Sequence, residues 1–254
     1  MGVGDEIMAS GQAEEIYAKT GMPVVIEGID GKPRWHEIWL HNPAIARNGV
    51  GLPRIKSGPL CRPYIDYDLW NADDRRHWFW SGWRARDHIG KIYLTETERV
   101  ADISGFAVIE PNVNAKIRFT KPYADNRDWG FSKWQAVVDA TPEIFWVQLV
   151  PNEREKVLSG VTVIITETFR RACGILSHAM FYAGHEGGMH HAAAALKIPG
   201  VVVMGGFPSE QALGYPIHTN LGGDGCGALF KCEHCRQAMD AITVLDVVSA
   251  IKAL

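Results

Sequence analysis

The residues best suited to chemistry stand where an apolar segment ends in glycines. The run Gly184-His185-Glu186-Gly187-Gly188-Met189-His190-His191 joins a predicted strand to an alanine-rich helix. Glycines there let backbone approach a ligand, and a helix N-terminus offers free N–H groups to a phosphate. Glu186 could then accept hydrogen bonds from a ribose, and His191 could donate to phosphate oxygens. Alternatively, the glycines only turn the chain, Glu186 only starts the helix, and His191 is a core histidine.

A carboxylate near the N-terminus offers a second kind of chemistry. Asp5 follows Gly2-Val3-Gly4 at the start of a predicted helix from about Asp5 to Lys19. Asp is a favoured helix N-cap, and capping alone would explain its position. A carboxylate on a glycine loop that faces a cleft could instead remove the proton from a hydroxyl group as a general base.

A cation precedes another predicted helix, in the run Asn126-Arg127-Asp128-Trp129-Gly130-Phe131-Ser132-Lys133-Trp134. The guanidinium of Arg127 could make a bidentate contact with phosphate oxygens. A solvated side chain is the alternative. Thr168, just before the predicted helix from Phe169, is a further candidate for the ligand-binding set.

Three of the five cysteines fall in one short segment, Cys226-x5-Cys232-Glu233-His234-Cys235. The closing C-x2-C has the spacing of zinc ligands, and either His218 or His234 could complete a tetrahedral set. Buried or reactive free thiols are the alternative. We therefore predict a compact C-terminal knot that holds structural zinc through Cys226, Cys232, Cys235 and one histidine, His234.

An aromatic segment from Trp70 to Trp83 is interleaved with arginines and aspartates. Aromatic rings stack on sugar rings and nucleobases, and arginine adds cation–π contacts. The acidic residues nearly cancel the local basic charge, so a nucleic-acid groove is weakly supported. We interpret this segment mainly as core packing of a small domain.

Composition sets the broad class. With 254 residues, 46% hydrophobic and 22% charged, the chain is an ordinary globular sequence. A net charge of −3 gives no reason to expect tight binding to duplex DNA or to an anionic membrane. The N-terminus lacks a secretory signal, and the longest apolar stretch, Ala192 to Phe207, is broken by Lys197, Pro199 and glycines. We expect a cytoplasmic protein.

Apolar runs alternate with helical stretches from Phe106 onward, which predicts a parallel sheet wrapped by helices. The predicted strands are Phe106–Ile109, Phe145–Leu149, Val161–Ile165, Met180–Ala183 and Val201–Met204, and the predicted helices are Ser132–Asp139, Phe169–Ser177, Gly188–Leu196 and a last one from about Val244. The first hundred residues are less regular, with a strand at Pro23–Ile26. We place a boundary near Ser104-Gly105, which separates residues 1–104 from residues 105–254.

Four of these segments, in this order, resemble glycosyltransferase family 9, the bacterial heptosyltransferase family, and in particular its short phage- and prophage-type members. Gly4-Asp5-Glu6-Ile7-Met8 matches the family's opening turn, and Arg127 to Trp134 matches a Lys-x-Trp-Pro-x-x-x-Trp pattern. Gly184 to His191 matches the donor motif Gly-x-Asp-Thr-Gly-x-x-His, and Cys232 to Met239 matches the family's Cys-x-x-Cys tail.

The resemblance implies a GT-B-like fold with two Rossmann-type domains. Residues 1–104 would be a reduced acceptor-side domain, and residues 105–254 a parallel-sheet domain that binds a nucleotide-diphosphate sugar. Asp5 would be the catalytic base and Arg127 a phosphate contact in place of lysine. The donor pocket would be formed by Glu186, Gly187, Gly188 and His191. Glu186 and Gly187 replace Asp and Thr of the motif, so the sugar and nucleotide are not inferred.

We therefore expect an inverting glycosyltransferase that acts on a hydroxyl of a glycan or of modified DNA. A nucleotide-sugar epimerase or hydrolase is the alternative within enzymes, and a non-catalytic glycan- or DNA-binding module is the alternative outside them. Asp5 distinguishes the two classes. A position across an open cleft from Glu186 favours the enzyme, whereas a buried helix cap favours the module.

Overall fold

Two parallel β-sheets and the helices around them make up the described part of the chain, residues 2–99, 102–113 and 120–254 of this computed structural model. The predicted α/β class with parallel sheets is confirmed. No helix among these residues is both long and apolar enough to cross a membrane.

The N-terminal part pairs one long helix with a small sheet. Helix α1 spans Val3–Thr20 and ends at Gly21, whose φ of 70° is the left-handed conformation that glycine adopts readily. The three short strands, in the order β2-β1-β3, are β1 (Val24–Glu27), β2 (Ile45–Ala46) and β3 (Arg54–Lys56). The predicted helix and first strand are confirmed. β2 and β3 were not predicted, because two or three residues carry no readable periodicity. Helix α2 (Tyr67–Ala72) follows.

The C-terminal part is built on a six-stranded sheet in which every neighbouring pair is parallel. Its strands are β4 (Phe106–Glu110), β5 (Phe145–Val150), β6 (Thr162–Ile165), β7 (Tyr182–His185), β8 (Gly200–Gly205) and β9 (His218–Gly222). The spatial order is β6-β5-β4-β7-β8-β9, which is the 3-2-1-4-5-6 order of a Rossmann fold. The order reverses between β4 and β7.

Helices connect these strands as the alternating pattern predicts. They are α3 (Phe131–Asp139), α4 (Phe169–Leu176), α5 (Gly188–Ala195), α6 (Glu210–Leu213), α7 (Glu233–Ala241) and α8 (Val244–Lys252). The four predicted helices are confirmed to within a residue or two. Three elements were not predicted: the short α6, the strand β9, and α7, which contains Cys235. Polar residues interrupt the apolar periodicity of these segments.

One predicted strand was misplaced. Met180–Ala183 was expected as a strand, whereas β7 runs from Tyr182 to His185 and Met180 is half exposed. Gly184 and His185, which the glycines suggested were already in the turn, pair with Val202 and Val203 of β8. The turn therefore begins only at Glu186. This places Glu186 directly at the carboxyl end of the strand.

The two sheets share an apolar core. Buried residues of α1 and β1, such as Ile7 and Ile26, belong to the same cluster as Val108 and Val202 of the large sheet. A second cluster, which contains Trp134 and residues of α8, covers the opposite face. The division into domains at Ser104-Gly105 stays a prediction.

Helices α1 and α5 approach each other closely at their N-termini. A Cβ on Gly4 would lie 2.5 Å from Cδ2 of His191, and a Cβ on Gly188 would lie 2.4 Å from Cγ1 of Val3. Contacts that short do not occur between real atoms, so both positions require glycine. The approach brings Asp5 on α1 and Glu186 before α5 to the same place.

Candidate active site

A cavity of about 450 Å³ opens at the carboxyl ends of the large sheet. It lies where the strand order reverses between β4 and β7, and such crevices are where open α/β sheets bind ligands. The structure brings all the sequence-predicted residues for sugar transfer into its lining. These are Asp5, Arg127, Thr168, Glu186, Gly187, Gly188 and His191.

Two helix N-termini line this cavity without side-chain caps. Helix α5 follows Gly187, helix α1 follows Gly2, and neither N-cap residue makes a side-chain cap hydrogen bond. Their first N–H groups therefore keep the capacity to bind an acceptor atom from a ligand. Because each N-terminus carries a partial positive charge, the pair suits a diphosphate.

An ion pair joins the two predicted binding motifs. Arg127 Nη2 lies 2.6 Å from Glu186 Oε2 and also donates to the Glu186 backbone carbonyl. Burial alone would raise the pKa of Glu186, but the charge of Arg127 and the contact with His191 hold it at about 2. Arg127 Nε is buried and has no hydrogen-bond partner among the described residues. Arg127 is therefore not a solvated side chain, and part of its guanidinium remains available.

His191 has protein partners at both ring nitrogens. Nε2 lies 3.3 Å from Glu186 Oε1, Nδ1 lies 2.8 Å from the Tyr215 hydroxyl, and the residue is 2% exposed. The side chain therefore orients Glu186. Its predicted contact with phosphate oxygens would need one of these partners to be exchanged.

His185 fastens the Arg127 segment to the sheet. Burial, together with the charge of Arg127, lowers the pKa of His185 to about 3, so its ring is neutral. Its Nε2 accepts hydrogen bonds from the Trp129 backbone N–H at 3.1 Å and from Trp134 Nε1–H at 3.2 Å. The two motifs are thus joined by a core contact as well as by the ion pair.

Asp5 is not a helix cap, so that interpretation is wrong. Helix α1 begins at Val3, with Gly2 as N-cap, so Asp5 lies within the first turn and not at the cap position. The Asp5 carboxylate accepts a hydrogen bond of 2.6 Å from the Tyr64 hydroxyl and lies 3.2 Å from Arg62 Nε. The carboxylate is thus held toward the cavity that Glu186 also lines.

Glu110 is a site residue that the sequence analysis missed. It ends β4, lines the cavity and accepts a 2.9 Å hydrogen bond from the Tyr182 hydroxyl. That hydroxyl also lies 3.1 Å from the carbonyl of His185. A phenol has one proton, so Tyr182 donates to only one of these two oxygens at a time. Burial raises the pKa of Glu110 to about 7, although the Tyr182 hydrogen bond and Arg127 act in the opposite direction.

The aromatic segment divides between core and cavity. Trp70, Trp78, Trp80 and Trp83 pack against the buried core, as expected. Trp78, together with Tyr64 before the segment, also lines the cavity beside Asp5. Core packing is therefore confirmed for these tryptophans, and Trp78 in addition borders the candidate site.

Thr168 and the ends of β5 and β6 form the other side of the cavity. Thr168 is the N-cap of α4, and its hydroxyl accepts a 3.1 Å hydrogen bond from the Arg171 N–H. Leu149 and Pro151 line the cavity next to it.

The cysteine segment forms a four-residue cluster away from the cavity. Ligand atoms of Cys226, Cys232, His234 and Cys235 all lie within 4.8 Å of one another. The Cys226 and Cys235 sulfurs are 3.1 Å apart. His234 is thus the histidine of the set, whereas His218 is buried and contacts the Ile198 carbonyl. The residues predicted to form a compact C-terminal knot are therefore close together in space.

The site residues that were not predicted differ in whether a sequence pattern could have revealed them. Glu110 could have been found, because a carboxylate at the end of the first strand of a Rossmann fold lies at the edge where ligands bind. Arg62 and Tyr64 lie in an irregular loop without periodicity, so their contact with Asp5 could not be predicted. Asn126, which donates to the carbonyls of Ala228 and Phe230, offered no motif.

We predict that the free energy of unfolding of the parent depends on pH through Glu110, and that the Glu110→Gln variant lacks this dependence. Below its ordinary pKa of 4.5 the carboxyl is protonated in both the folded and the unfolded protein. As pH rises toward 7, the unfolded chain releases the proton first, so the contribution of Glu110 to folding is lost. The free energy of unfolding of the parent, minus that of Glu110→Gln, should fall by roughly 2 kcal/mol between pH 5 and pH 8. Urea unfolding across this range measures it, and a constant difference would contradict the assignment.

Comparisons with known proteins agree with the fold. No protein-family model and no curated protein sequence matches the chain. Among solved structures, the dodecameric iron-containing glycosyltransferase TibC of E. coli aligns over 100% of this chain and 73% of its own, with a TM-score of 0.65 and 12% identity. A family 9 glycosyltransferase from Veillonella parvula aligns over 100% of this chain and 94% of its own, with a TM-score of 0.62 and 11% identity.

A third match is partial. The ADP-heptose heptosyltransferase II of E. coli aligns over 65% of this chain and 53% of its own, with a TM-score of 0.46 and 14% identity. The chain thus spans about half the length of that heptosyltransferase. The two alignments that cover the whole of this chain show that it has the parallel-sheet α/β fold of family 9, GT-B-like glycosyltransferases.

Proposed function

We propose that this protein is an inverting glycosyltransferase that moves a sugar from a nucleotide-diphosphate sugar to an acceptor hydroxyl. One observation carries the proposal. A candidate base, Asp5, and a candidate anion site, the uncapped N-terminus of α5 with Arg127, line the same cavity. A transfer reaction needs both, because a proton leaves the acceptor while a diphosphate leaves the donor.

The donor would bind across the strand-order reversal. Its diphosphate would accept hydrogen bonds from the N–H groups of Gly188 and Met189, and from the unpaired Nε of Arg127. Its nucleoside would extend over the ends of β5 and β6, where Leu149 and Thr168 line the cavity. The Glu186 carboxylate, which Arg127 and His191 hold in place, would accept hydrogen bonds from the ribose hydroxyls.

The chemical step would be a single displacement. The acceptor oxygen attacks the anomeric carbon from the face opposite the diphosphate, and the bond between that carbon and the phosphate oxygen breaks. The acceptor proton passes to Asp5, whose orientation Arg62 and Tyr64 fix. Negative charge that develops on the departing diphosphate is stabilised by Arg127 and by the helix N-termini. Backside attack inverts the anomeric centre.

The position of Asp5 supports an enzyme over a non-catalytic module. A cap would have accepted hydrogen bonds from N–H groups of its own helix, whereas Asp5 contacts Tyr64 and Arg62 beside the cavity shared with Glu186. The two structures that share the fold over the whole chain are both glycosyltransferases, which supports the same class of reaction.

We predict that Asp5→Asn abolishes transfer and leaves donor affinity within about twofold. Asparagine keeps the size of aspartate and can still accept from Tyr64, but it cannot take up the proton. Loss of a general base costs about 10²- to 10⁴-fold in rate. Single-turnover transfer with saturating donor measures this, and slow donor hydrolysis serves until an acceptor is known.

Asp30→Asn is the matched control for Asp5→Asn. Asp30 is an exposed carboxylate whose ion-pair contact is with Lys32 on the surface. The control should keep the parent rate. A rate for Asp5→Asn within a few fold of the parent would remove Asp5 as the base and favour the epimerase or the binding module.

We further propose that Cys226, Cys232, His234 and Cys235 hold a structural zinc ion. Three sulfurs and one imidazole are a usual zinc set, and tetrahedral Zn–S bonds place sulfurs roughly 3.8 Å apart, a separation that the clustered ligand atoms accommodate. The ion would fix the loop that supports Trp78, since the Trp78 N–H donates to the Gly227 carbonyl at 2.8 Å. Its role would be structural, because the cluster does not line the cavity.

We predict about one zinc per chain in protein purified without chelator. Chelation should lower the melting temperature by several degrees and change tryptophan fluorescence, because Trp78 and Trp80 both bond to the 225–227 loop. Cys232→Ser should lose the metal, whereas Cys61→Ser, outside the cluster, should keep it. Elemental analysis that finds no stoichiometric metal, or iron in its place, would contradict zinc.

A further inference from the structure

The cavity has a second side that the donor proposal leaves unused. Strands β5 and β6 flank the strand-order reversal on one side, and β8 flanks it on the other. A nucleoside over β5 and β6 therefore leaves the β8 side free. Phe207, which follows β8, lines the cavity there together with Trp78 and Tyr123.

These three aromatic residues form a continuous wall, which we call the aromatic wall: Trp78, Tyr123 and Phe207. The rings of Trp78 and Phe207 are 5.4 Å apart, and those of Tyr123 and Phe207 are stacked at 5.6 Å. Phe207 is 1% exposed and backs the wall, whereas Trp78 and Tyr123 are partly exposed. The wall therefore presents two aromatic rings over a buried support.

The wall lies next to the candidate base. The Arg62 guanidinium carbon is 5.2 Å from the centre of the Trp78 ring, and Arg62 Nε is 3.2 Å from the Asp5 carboxylate. Tyr64, which donates to Asp5, packs edge-on against Trp78 at 6.2 Å. A ligand that lies on the wall can thus reach Asp5 with one of its edges. Because Arg62 and Asp5 form an ion pair, this part of the cavity carries little net charge.

The wall is fixed before any ligand arrives. The Trp78 N–H donates to the Gly227 carbonyl at 2.8 Å, and Leu229 N–H donates to the Arg76 carbonyl at 2.7 Å. A Cβ on Gly227 would lie 2.1 Å from the Trp78 carbonyl, so the two backbones are in direct contact. A rigid platform loses little conformational entropy when it binds.

We propose that the aromatic wall is an acceptor subsite for an uncharged sugar ring, which packs into the angle of 49° between the rings of Trp78 and Tyr123 with its apolar face toward them. The inference rests on the proposed transfer. The C–H groups on one face of a pyranose pack against aromatic rings, while its hydroxyls project from the edge toward hydrogen-bonding groups. The wall and Asp5 offer both features side by side. The low net charge favours a neutral acceptor sugar over a phosphorylated or acidic one.

The test is saturation-transfer difference NMR with methyl glycosides of glucose, galactose, mannose and N-acetylglucosamine as probes. At least one glycoside should receive saturation, and most strongly at the ring protons of one face. Trp78→Ala should reduce that signal about tenfold, and Tyr123→Ala should reduce it as well. Tyr123→Ala keeps the test valid if Trp78→Ala fails to fold.

Trp35→Ala is the matched control for Trp78→Ala. Trp35 is also partly buried beneath an arginine, with the Arg47 guanidinium carbon 4.3 Å from its ring centre, but it does not line the cavity. It should keep the parent signal. Equal losses in Trp35→Ala and Trp78→Ala, or no saturation of any glycoside by the parent, would overturn the inference.

Donor binding separates this inference from the proposed function. Calorimetric titration of the parent and Trp78→Ala with nucleotide sugars should give equal affinities. Weaker donor binding in Trp78→Ala would assign the wall to the donor and overturn the inference. If the parent binds a nucleotide sugar but no glycoside, the acceptor subsite fails while the proposed function stands. If it binds no nucleotide sugar, the proposed function fails.

Discussion

The site depends on how closely the N-termini of α1 and α5 approach. Gly4 lies against the His191 ring and Gly188 against Val3, at distances that leave no room for a Cβ. This approach brings Asp5 from one end of the chain to the motif around Glu186. It also directs two uncapped helix N-termini at one cavity, so that positive helix ends lie beside a carboxylate.

A chain of further contacts connects the rest of the site to this pair of helices. The Arg127–Glu186 ion pair and the hydrogen bonds to His185 fasten the segment before α3 to the end of β7. Asn126 continues the connection, since it bonds to the backbone around the cysteine cluster. That loop in turn supports Trp78. The donor side, the cysteine cluster and the aromatic wall are thus one connected structure.

The sequence predicted the large sheet well, because buried parallel strands are continuous apolar runs and glycine turns mark their ends. The residues it selected for sugar transfer line one cavity, and their roles stay predictions. It misplaced β7, since Gly184 and His185 looked like turn residues although they pair with β8. It could not decide whether Asp5 was a cap, because that depends on Arg62 and Tyr64 from a loop without periodicity. Contacts between distant segments leave no local pattern in a single sequence.

Calorimetric titration with ADP-, UDP-, GDP- and CDP-sugars tests the central claim, that a nucleotide-diphosphate sugar binds at α5. The account predicts that one of them binds the parent, that Arg127→Ala weakens it about tenfold or more, and that Arg127→Lys retains much of the affinity. Lys252→Ala, which removes a positive charge far along the last helix, should bind like the parent. Binding by none of the four, or unchanged affinity in a folded Arg127→Ala, would contradict the account.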